Sequence, residues 1–591
     1  MSSAIPRDEH PRPQWVRPEW FCLNGPWQFE IDAGDSGLER GLRDRPLRDT
    51  ITVPFCPESP LSGIGCADFL NAVWYRREVT VPDAWKGRRV LLHFQAVDYD
   101  ATVWVNGVEV GRHRGGWTGF SCDLSGLAEG GQTATIVVRA RDDHRESKPM
   151  GKQSRDYANQ GCRYTRTTGI WQTVWMEAVP KHTWLLRPKI TPDLGNRCFR
   201  LVLPVAGQRR GMTLQVTLRD GDGIIRTEQV SADRDFAPTV TVPIPEERVR
   251  LWEPERPHLY DMDVELRDSE GRLVDRAAAY AGLRSVTIDG KAVRINGRAI
   301  FQRLVLDQGF YPDGVMTAPT DAALRRDIEL SMQAGFNGAR LHQKVFEERF
   351  LYHADRMGYL CWGEFGDWGA RRDGYGAAWI PQWLEALERD YSHPCLVGWC
   401  GLNETYRVFD DRIHNHDDVM RGMFLAARAA DPTRPVLDVS GYSHRVPESD
   451  IYDSHDYEQD PAAFAAHHAG LGEDRPYLSR HANFSSIAYR GQPYFVSEFG
   501  GIWWNPKAAA DEPSWGYGQR PKSVEEFHQR FEGLCRVLLD HPHMFGYCYT
   551  QLTDVHQEQN GIYGFDRSEK LDVARIRAAQ QRPAAIEKAD H

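Results

Sequence analysis

The chain has 591 residues, of which 41% are hydrophobic and 26% are charged, a composition typical of soluble globular proteins. This length exceeds what one compact core supports and predicts three or four domains. A net charge of −11 with scattered Lys and Arg argues against nucleic acid as a partner, and without an apolar run of about 18 residues we expect no membrane span.

The 11 cysteines are widely spaced and form no CxxC or Cys/His cluster of the kind that binds zinc. We therefore expect free and mostly buried thiols in a reducing compartment. The N-terminal stretch MSSAIPRDEHPRPQW is polar and proline-rich and lacks the apolar core of a secretory signal. These features favour a cytoplasmic protein.

Residues 1–180 have the pattern of an all-β domain in which short β-rich runs alternate with turns. Val103, Val105 and Val108 surround the turn dipeptide at Asn106 and Gly107, a strong hairpin signal. We predict a β-sandwich of jelly-roll type for this domain.

Residues 181–285 predict a second all-β domain. The stretches MTLQVTLRDGDGIIRTEQV and HLYDMDVELRDSEGRLVDRAAAY each have the pattern of a hairpin. A domain of about 100 residues with this content suits an immunoglobulin-like β-sandwich.

Residues 286–575 alternate short apolar runs with helical patterns such as DAALRRDIELSMQAG and WIPQWLEALERDYSHP. Such alternation predicts a parallel sheet, and at this length a (β/α)8 TIM barrel. Residues 576–591 are polar and rich in Ala, and we expect them to form a fraying tail.

The stretch CLVGWCGLNET, residues 395–405, is apolar until it reaches Asn403 and Glu404. Such a run predicts a strand buried on both faces, as in a parallel sheet. The stretch YFVSEFG places Glu498 at the end of the seventh predicted strand. Because chemistry in this type of barrel occurs at the C-terminal strand ends, we expect the two glutamates to face each other across the mouth.

Two facing carboxylates are what hydrolysis of a glycosidic bond requires. One protonates the departing oxygen, and the other attacks the anomeric carbon or activates water. A carboxyl separation of about 5–5.5 Å gives retention, and a wider gap gives inversion. The alternative is that Glu404 and Glu498 are strand-end residues in salt bridges, but burying both without a use is costly.

Further polar and aromatic residues lie near the predicted strand ends. Each could bind a sugar hydroxyl or form a wall of the subsite, and each has a local structural role as its alternative. These candidates are Asp307, Arg340, His342, Lys344, Glu364, His455, Tyr457, Trp503, Trp504 and Tyr549.

The chain resembles glycoside hydrolase family 2, which includes β-galactosidases, β-glucuronidases and β-mannosidases. The resemblance covers nearly the whole chain and rests on several motifs taken together. They are DYDATVWVNGVEVGRHRGGWTGFSCDL in the first domain, LWEPERPHLY in the second, and GFNGARLH, GLNE, VSEFGG and QLTDVHQEQNGIYGFDR in the barrel.

The resemblance implies a retaining mechanism in which Glu404 is the general acid/base and Glu498 the nucleophile. It implies that Asn403 hydrogen-bonds the sugar 2-hydroxyl and that Arg340 orients Glu498 and keeps it ionised; a structural ion pair is the alternative for Arg340. Glu404 must then arrive protonated, while Glu498 must stay charged. No metal or cofactor is required, and homo-oligomers are common in the family.

Departures from the family pattern leave the sugar open. Asp307 and Gln308 follow the first barrel strand, and Asn560 is followed by Gly561 and Ile562, so the Asn-x-Lys pattern that holds a uronate in β-glucuronidases is absent. A carboxylate at Asp307 favours a neutral sugar. We therefore expect a β-galactosidase-like exo-glycosidase acting on a carbohydrate substrate. The alternatives are a β-galactofuranosidase or α-L-arabinofuranosidase, then a β-glucuronidase, a transglycosidase, or a non-catalytic carbohydrate-binding protein.

Residues 142–171 form a long polar loop of the first domain with few signals of regular structure. Loops of this length are often functional. We hypothesise that this loop reaches the barrel mouth of its own or a neighbouring subunit.

Overall fold

A computed structural model of the chain describes residues 5–367, 378–405, 415–479, 486–506 and 514–588. The jelly roll, the immunoglobulin-like sandwich and the TIM barrel that the sequence predicts are all confirmed. Within the described ranges, none of the helices is long and apolar enough to cross a membrane. All 11 cysteines are free and nine are buried, which confirms the predicted state of the thiols.

The first domain packs two antiparallel sheets around an apolar core. At Asn106 and Gly107 the backbone has φ values of 51° and 81°, the conformation that a two-residue hairpin turn needs, and Val105 pairs with Val108 across it. In sheet order the larger sheet comprises Asp49–Val53, Gly25–Ile31, Ala72–Thr80, Thr133–Arg141, Asp100–Val105 and Val108–Arg114. The smaller comprises Phe120–Asp123, Arg89–Phe94, Val174–Val179 and Trp20–Cys22, and Val97–Asp98 pairs with Gly169–Ile170.

The second domain is a smaller sandwich with its own apolar core. Its five-stranded sheet includes a strand from near the N-terminus of the chain, Trp15–Val16. The sequence assigned this strand to the first domain with the rest of residues 1–180, and the structure places it in the second. That sheet comprises Trp15–Val16, Leu273–Ala281, Tyr260–Arg267, Thr213–Asp220 and Gly223–Ser231. The facing strands are Lys189–Asp193, Cys198–Val202 and Thr239–Pro243, with short pairs at Thr183–Leu185 and Val205–Gly207 and at Trp252–Glu253 and Arg256–Pro257.

A three-stranded hairpin unit, Val286–Asp289, Ala292–Ile295 and Arg298–Ala299, precedes the barrel. Eight parallel strands then form the barrel, in the hydrogen-bonded order β5-β4-β3-β2-β1-β8-β7-β6. They are β1 (Gln302–Asp307), β2 (Gly338–Leu341), β3 (Leu360–Glu364), β4 (Leu396–Cys400), β5 (Val436–Leu437), β6 (Tyr452–Asp456), β7 (Tyr494–Gly500) and β8 (Met544–Thr550). Every residue of β4 is buried, as its apolar run predicts.

Helices cover the outside of the barrel and begin at capping residues that the sequence supplies. The Thr320 side chain accepts the Ala323 N–H at the start of the first helix, and Ser523 accepts the Glu526 N–H at the sixth. The helices are α1 (Asp321–Gln333), α2 (Glu348–Met357), α3 (Trp379–Asp390), α4 (Asn415–Ala430), α5 (Pro461–His468), α6 (Val524–Leu539), α7 (Val573–Gln580) and α8 (Ala585–Lys588). Short 3-10 turns are at Pro60–Ser62, Asp83–Trp85, Glu246–Arg248 and Ala469–Glu473.

The predicted fraying tail, residues 576–591, is wrong as far as residue 588. Ile576 of α7 is fully buried, and Glu587 of α8 forms an ion pair of 3.0 Å with Arg303 of β1. The apolar contact and the ion pair attach these two short helices to the rest of the barrel and offset their low intrinsic stability.

Arg17, next to the N-terminal strand, joins the first two domains. Its buried guanidinium donates to Glu177 of the first domain at 3.1 Å and to Asp275 of the second at 3.0 Å.

We predict that Arg17→Leu lowers the free energy of unfolding by about 3–5 kcal/mol, because it leaves two buried carboxylates without their cation. Urea unfolding followed by tryptophan fluorescence measures this, with Arg276→Leu, an exposed neighbour, as control. Equal effects of the two substitutions would contradict the prediction.

Candidate active site

Glu404 is held at the barrel mouth by the backbone that follows β4. Its N–H donates to the Ser440 carbonyl at 2.7 Å, and Asn403 forms an isolated bridge with the same residue, so the strand pairing continues past the end of β4. The φ of Glu404 is 46°, a left-handed conformation that is uncommon for a residue with a side chain. Such backbone strain is found where a side chain must point in one direction for function.

Glu498 reaches the barrel interior because β7 contains a bulge. Val496 pairs with Tyr547 and Phe499 with Tyr549, so Ser497 and Glu498 together face a single residue, Cys548. An extra residue in a strand interrupts the alternation of side chains and redirects the next one. The bulge therefore turns the Glu498 carboxylate toward the interior of the mouth.

The carboxylates of Glu404 and Glu498 both lie close to one ring nitrogen of His455. Its Nδ1 is 2.8 Å from Glu404 Oε1 and 3.3 Å from Glu498 Oε2, and one oxygen of each glutamate and a ring nitrogen of the histidine lie within 4.8 Å of one another. Burial opposes the charge of His455, but the two carboxylates raise its pKa above the ordinary value. A ring nitrogen of His455 thus lies within reach of both carboxylates.

Arg340 of β2 connects most of the predicted site. Its Nη1 donates to Glu498 Oε1 at 3.2 Å and to the Ser497 carbonyl at 2.6 Å, and its Nη2 donates to Asn403 Oδ1 at 3.3 Å. The guanidinium thus fixes the bulge, the predicted nucleophile and the orientation of the Asn403 amide. The predicted role of Arg340 in orienting Glu498 fits this geometry.

Glu364 supports Arg340, and its predicted contact with a sugar hydroxyl stays a prediction. Its Oε1 accepts from Arg340 Nε at 2.6 Å, and its Oε2 accepts from the Gln343 N–H at 3.1 Å and lies 3.0 Å from His342 Nδ1. Both oxygens are therefore occupied by protein groups.

His342 is buried beside this carboxylate. Burial, with Lys152 and Arg340 nearby, lowers its pKa well below the ordinary value, so the imidazole is neutral. Its Nε2 is 3.3 Å from Gln343 Nε2 and 3.8 Å from Glu498 Oε1.

Tyr457 holds the second oxygen of the predicted nucleophile. Its hydroxyl donates to Glu498 Oε2 at 2.5 Å and lies 3.2 Å from Thr550 Oγ1. The ring of Tyr517 stacks on it with centroids 3.4 Å apart and planes 3° from parallel. Tyr517 was missed in the sequence because it lies in a loop without periodicity, and it supplies the aromatic surface that the sequence assigned to Trp503 or Trp504.

Five predicted substrate-binding residues have other environments, and the first two are Asp307 and Lys344. Asp307 accepts the Gly309 N–H at 2.9 Å, and Lys344 donates to the carbonyls of Gly309 at 2.6 Å and Met316 at 2.7 Å. Burial and Asp327 raise the pKa of Asp307 to about 7, and burial lowers that of Lys344 to about 8. Both side chains bind the backbone of the loop after β1, and they lie within electrostatic range of each other.

The aromatic candidates are the other three corrections. The Trp503 indole donates to Ser514 Oγ at 2.8 Å, and Trp504 packs against the barrel core. Tyr549 packs against Phe531 of α6, on the outer face of the sheet. The alternation in β8 gives the inner position to Thr550 instead.

A buried network under the mouth supports β6 and β7. Asp453 accepts from the Ser440 hydroxyl at 3.0 Å and from the Ser497 hydroxyl. His444 lies between Asp438 and Asp453, with Nδ1 2.9 Å from the first carboxylate and Nε2 3.1 Å from the second. These two aspartates raise the pKa of His444 well above the ordinary value although burial opposes it.

The long loop of the first domain reaches the barrel mouth of its own chain, as hypothesised. The Gly151 N–H donates to the carbonyl of Gly366, after β3, at 2.8 Å. Gln557, after β8, donates to the Gly161 carbonyl at 2.6 Å, and the Tyr164 hydroxyl donates to Glu558. The loop therefore brings side chains of the first domain to the predicted site.

A cavity of about 880 Å³ is lined by His455 and Tyr457, which contact the two glutamates, although neither glutamate lines the cavity itself. It begins at His455, Tyr457 and Tyr517 and extends outward to Gln529 and Arg530 of α6. Its size suits a small saccharide.

Comparisons with known proteins agree with this architecture. The family model described as "Glycosyl hydrolases family 2, sugar binding domain" matches residues 21–175, and "Glycosyl hydrolases family 2" matches residues 187–284. The chain is 26% identical to a beta-glucuronidase from Paenibacillus borealis over 449 residues, covering 70% of this chain and 72% of that protein. It is 27% identical to a beta-galactosidase from Thermoanaerobacter pseudethanolicus over 383 residues, covering 62% of this chain but only 48% of the relative.

Among solved structures, the beta-D-glucuronidase of Dictyoglomus thermophilum is similar with a TM-score of 0.75 and 18% identity. The similarity covers 97% of this chain and 99% of the other. At this identity it establishes the shared fold.

We predict that Glu364→Gln lowers kcat by about 10- to 100-fold and changes KM by less than about threefold, because it misplaces Arg340 and through it Glu498. Steady-state kinetics on the best aryl glycoside measures both constants. Glu329→Gln, on the outer surface of α1 beside Arg325, is the control. A large rise in KM with unchanged kcat would show instead that Glu364 binds the sugar.

His444 also generates a pH prediction. Its raised pKa means that it stabilises the folded state fully below its unfolded pKa of about 6.5, and this stabilisation falls as pH rises toward the folded pKa. The difference in urea midpoint between the wild type and His444→Gln should therefore be largest near pH 6 and decrease toward pH 9. A difference that does not vary with pH would show that His444 is neutral when folded.

Proposed function

The chain belongs to glycoside hydrolase family 2 and is a glycosidase, and on this premise we propose that it is a retaining exo-enzyme that releases a terminal neutral sugar, in the manner of a β-galactosidase. One observation carries the proposal: oxygens of Glu404 and Glu498 lie within 4.8 Å of each other at one end of the barrel. This proximity suits the short carboxyl separation of retaining enzymes, and it leaves little room for the water that an inverting enzyme places between its carboxylates.

In the proposed reaction Glu498 attacks the anomeric carbon while Glu404 protonates the departing oxygen. Glu404 then removes a proton from water, which displaces Glu498 with a second inversion and so gives net retention. Arg340 and Tyr457 each bind one oxygen of Glu498, so the nucleophile is oriented before the substrate arrives. A non-catalytic binding protein would have no use for this arrangement.

The preference for a neutral sugar cannot rest on Asp307, which accepts the Gly309 N–H and whose pKa is shifted by Asp327, Arg567 and Lys344 rather than by the two glutamates. It is supported instead by the loop after β8. There Asn560 donates to Glu558 at 3.3 Å, so the amide is engaged within the protein, and the loop carries a carboxylate next to it. A carboxylate at this place favours a hydroxyl-rich glycone over an anionic one.

A β-glucuronidase is the second candidate. The relative from Paenibacillus borealis bears that name, and so does the structural neighbour from Dictyoglomus thermophilum. In addition, Lys152 lies within electrostatic range of both catalytic glutamates and could bind an anion. Furanosides of galactose or arabinose are the third class of candidate substrate. The cytoplasmic location and the homo-oligomeric state that the sequence suggests both stay predictions.

We expect the enzyme to hydrolyse p-nitrophenyl β-D-galactopyranoside faster than the corresponding β-D-glucuronide, β-D-galactofuranoside and α-L-arabinofuranoside. Glu498→Ala should lower turnover by at least roughly 10³-fold, because covalent catalysis depends on it. Proton NMR of the first product formed should show the anomeric configuration of the substrate.

The matched control is Glu525→Ala, an exposed glutamate of α6. Full activity of Glu498→Ala, or no activity of the wild type on any glycoside, would reject the proposed enzyme. A first product of inverted configuration would reject the mechanism.

A further inference from the structure

A second cavity, of about 590 Å³, lies between the second domain and the barrel. Its walls come from residues 191–195 and Arg200 of the second domain, residues 284–286 and 296–297 in and beside the hairpin unit, and Thr433 before β5. Arg284, in this wall, donates to the carbonyl of Leu396, the first residue of β4, whereas Glu404 follows the last residue of that strand. The cavity therefore lies at the opposite end of the barrel from the catalytic centre.

Arg284 is the buried cation of this cavity. The residue is 2% exposed, and its Nε and Nη2 donate to the carbonyls of Pro394 and Leu396, each at 2.8 Å. Within the described part of the chain, Nη1 has no hydrogen-bond acceptor and the guanidinium forms no ion pair. Neutral groups thus hold Arg284 in place, and it keeps a donor for a further partner.

The buried charges around Arg284 do not balance. Arg434 donates to the same Leu396 carbonyl at 2.7 Å, so two guanidinium groups meet at one oxygen. The neighbouring carboxylate of Asp431 forms its ion pair with Arg434. Burial and Arg434 lower the pKa of Arg284 to about 9, although Asp431 and Asp355 oppose this shift, so Arg284 is still charged at neutral pH. A buried cation without an anion of its own is costly.

The cavity also offers a hydroxyl and little negative charge. The Ser285 hydroxyl, next to Arg284 in the wall, makes no hydrogen bond with any residue that the structure describes. Asp193 is the carboxylate among the lining residues, and it is bound by Arg200 Nη2 at 2.5 Å and by the Asn196 N–H at 3.0 Å. Two guanidinium groups and one carboxylate leave the lining with a net positive charge.

We propose that this cavity is a binding site for an oxyanion, a phosphate or carboxylate group, with Arg284 as its cation and Ser285 as a second donor. An anion in the cavity supplies the charge that Arg284 lacks among the protein groups. Guanidinium groups form strong charge-assisted hydrogen bonds with oxyanions of both classes. The volume lies in the range of small-molecule sites, so the group can belong to a larger molecule. The site is separate from the two glutamates and does not depend on which sugar the enzyme cleaves.

The test is isothermal titration calorimetry of the full-length protein at neutral pH. Inorganic phosphate and acetate are titrated separately, in a buffer that contains neither, because Arg284 accepts both classes of anion. We expect at least one of them to bind at one site per chain with a dissociation constant below about 1 mM. Arg284→Met should raise that constant at least about tenfold, because it removes the charge-assisted hydrogen bond. Ser285→Asp should do the same, because it brings a carboxylate of the protein into the cavity.

The matched control is Arg276→Met, an exposed arginine of the second domain, which should leave the dissociation constant unchanged. If Arg284→Met does not fold, Ser285→Asp decides, since the serine hydroxyl has no hydrogen bond to lose within the described chain. Unchanged affinity in either folded variant shows that the anion binds elsewhere and rejects the site. A wild type that binds neither anion also rejects it, and the assays of glycoside hydrolysis are decided separately.

Discussion

The site depends on one buried guanidinium. Arg340 is 1% exposed and interacts with Glu364, Glu498 and Asn403 from the centre of the barrel. Its guanidinium places a positive charge beside two buried carboxylates, whose burial without such a partner would be costly. Arginine suits this position, since its planar fork donates in several directions and keeps its charge. The barrel therefore supplies a rigid mount, and Arg340 fixes the position of the proposed nucleophile in it.

The catalytic domain alone does not complete the site. Residues 151–164 of the first domain cover one side of the mouth and bring Lys152 and Tyr164 to groups on barrel loops. Two histidines at the mouth have pKa values shifted in opposite directions: that of His342, beside Glu364, is lowered, and that of His455, beside Glu404 and Glu498, is raised. Burial, with Lys152 and Arg340 nearby, outweighs the carboxylates around His342, whereas Glu498 and Glu404 outweigh burial at His455.

The sequence predicts the barrel and its two glutamates because the relevant signals are local. A buried parallel strand must be apolar, so a carboxylate that ends one is conspicuous, as Glu404 and Glu498 are. Which way a side chain points is not a local property. Asp307 and Tyr549 lie at the predicted strand ends but make their contacts away from the two glutamates. Glu498 faces inward only because of a bulge, and the pairing that creates the bulge is set by neighbouring strands. Lys152 and Tyr517 lie in loops whose positions depend on contacts distant in sequence, and the family resemblance carried no information about them.

The strand Trp15–Val16 has a consequence for how the protein is made. It pairs with Ala278 and Ala279, which leave the ribosome long after it does. The first domain can thus acquire its own core during synthesis while this leading segment still has nothing to pair with. The second sheet is complete only when the strand Leu273–Ala281 has emerged and has paired with Trp15–Val16. Until this pairing forms, the unpaired strand edges are open to other chains. Early release of a truncated chain would leave the N-terminal segment without its partner, a state that chaperones and proteases recognise.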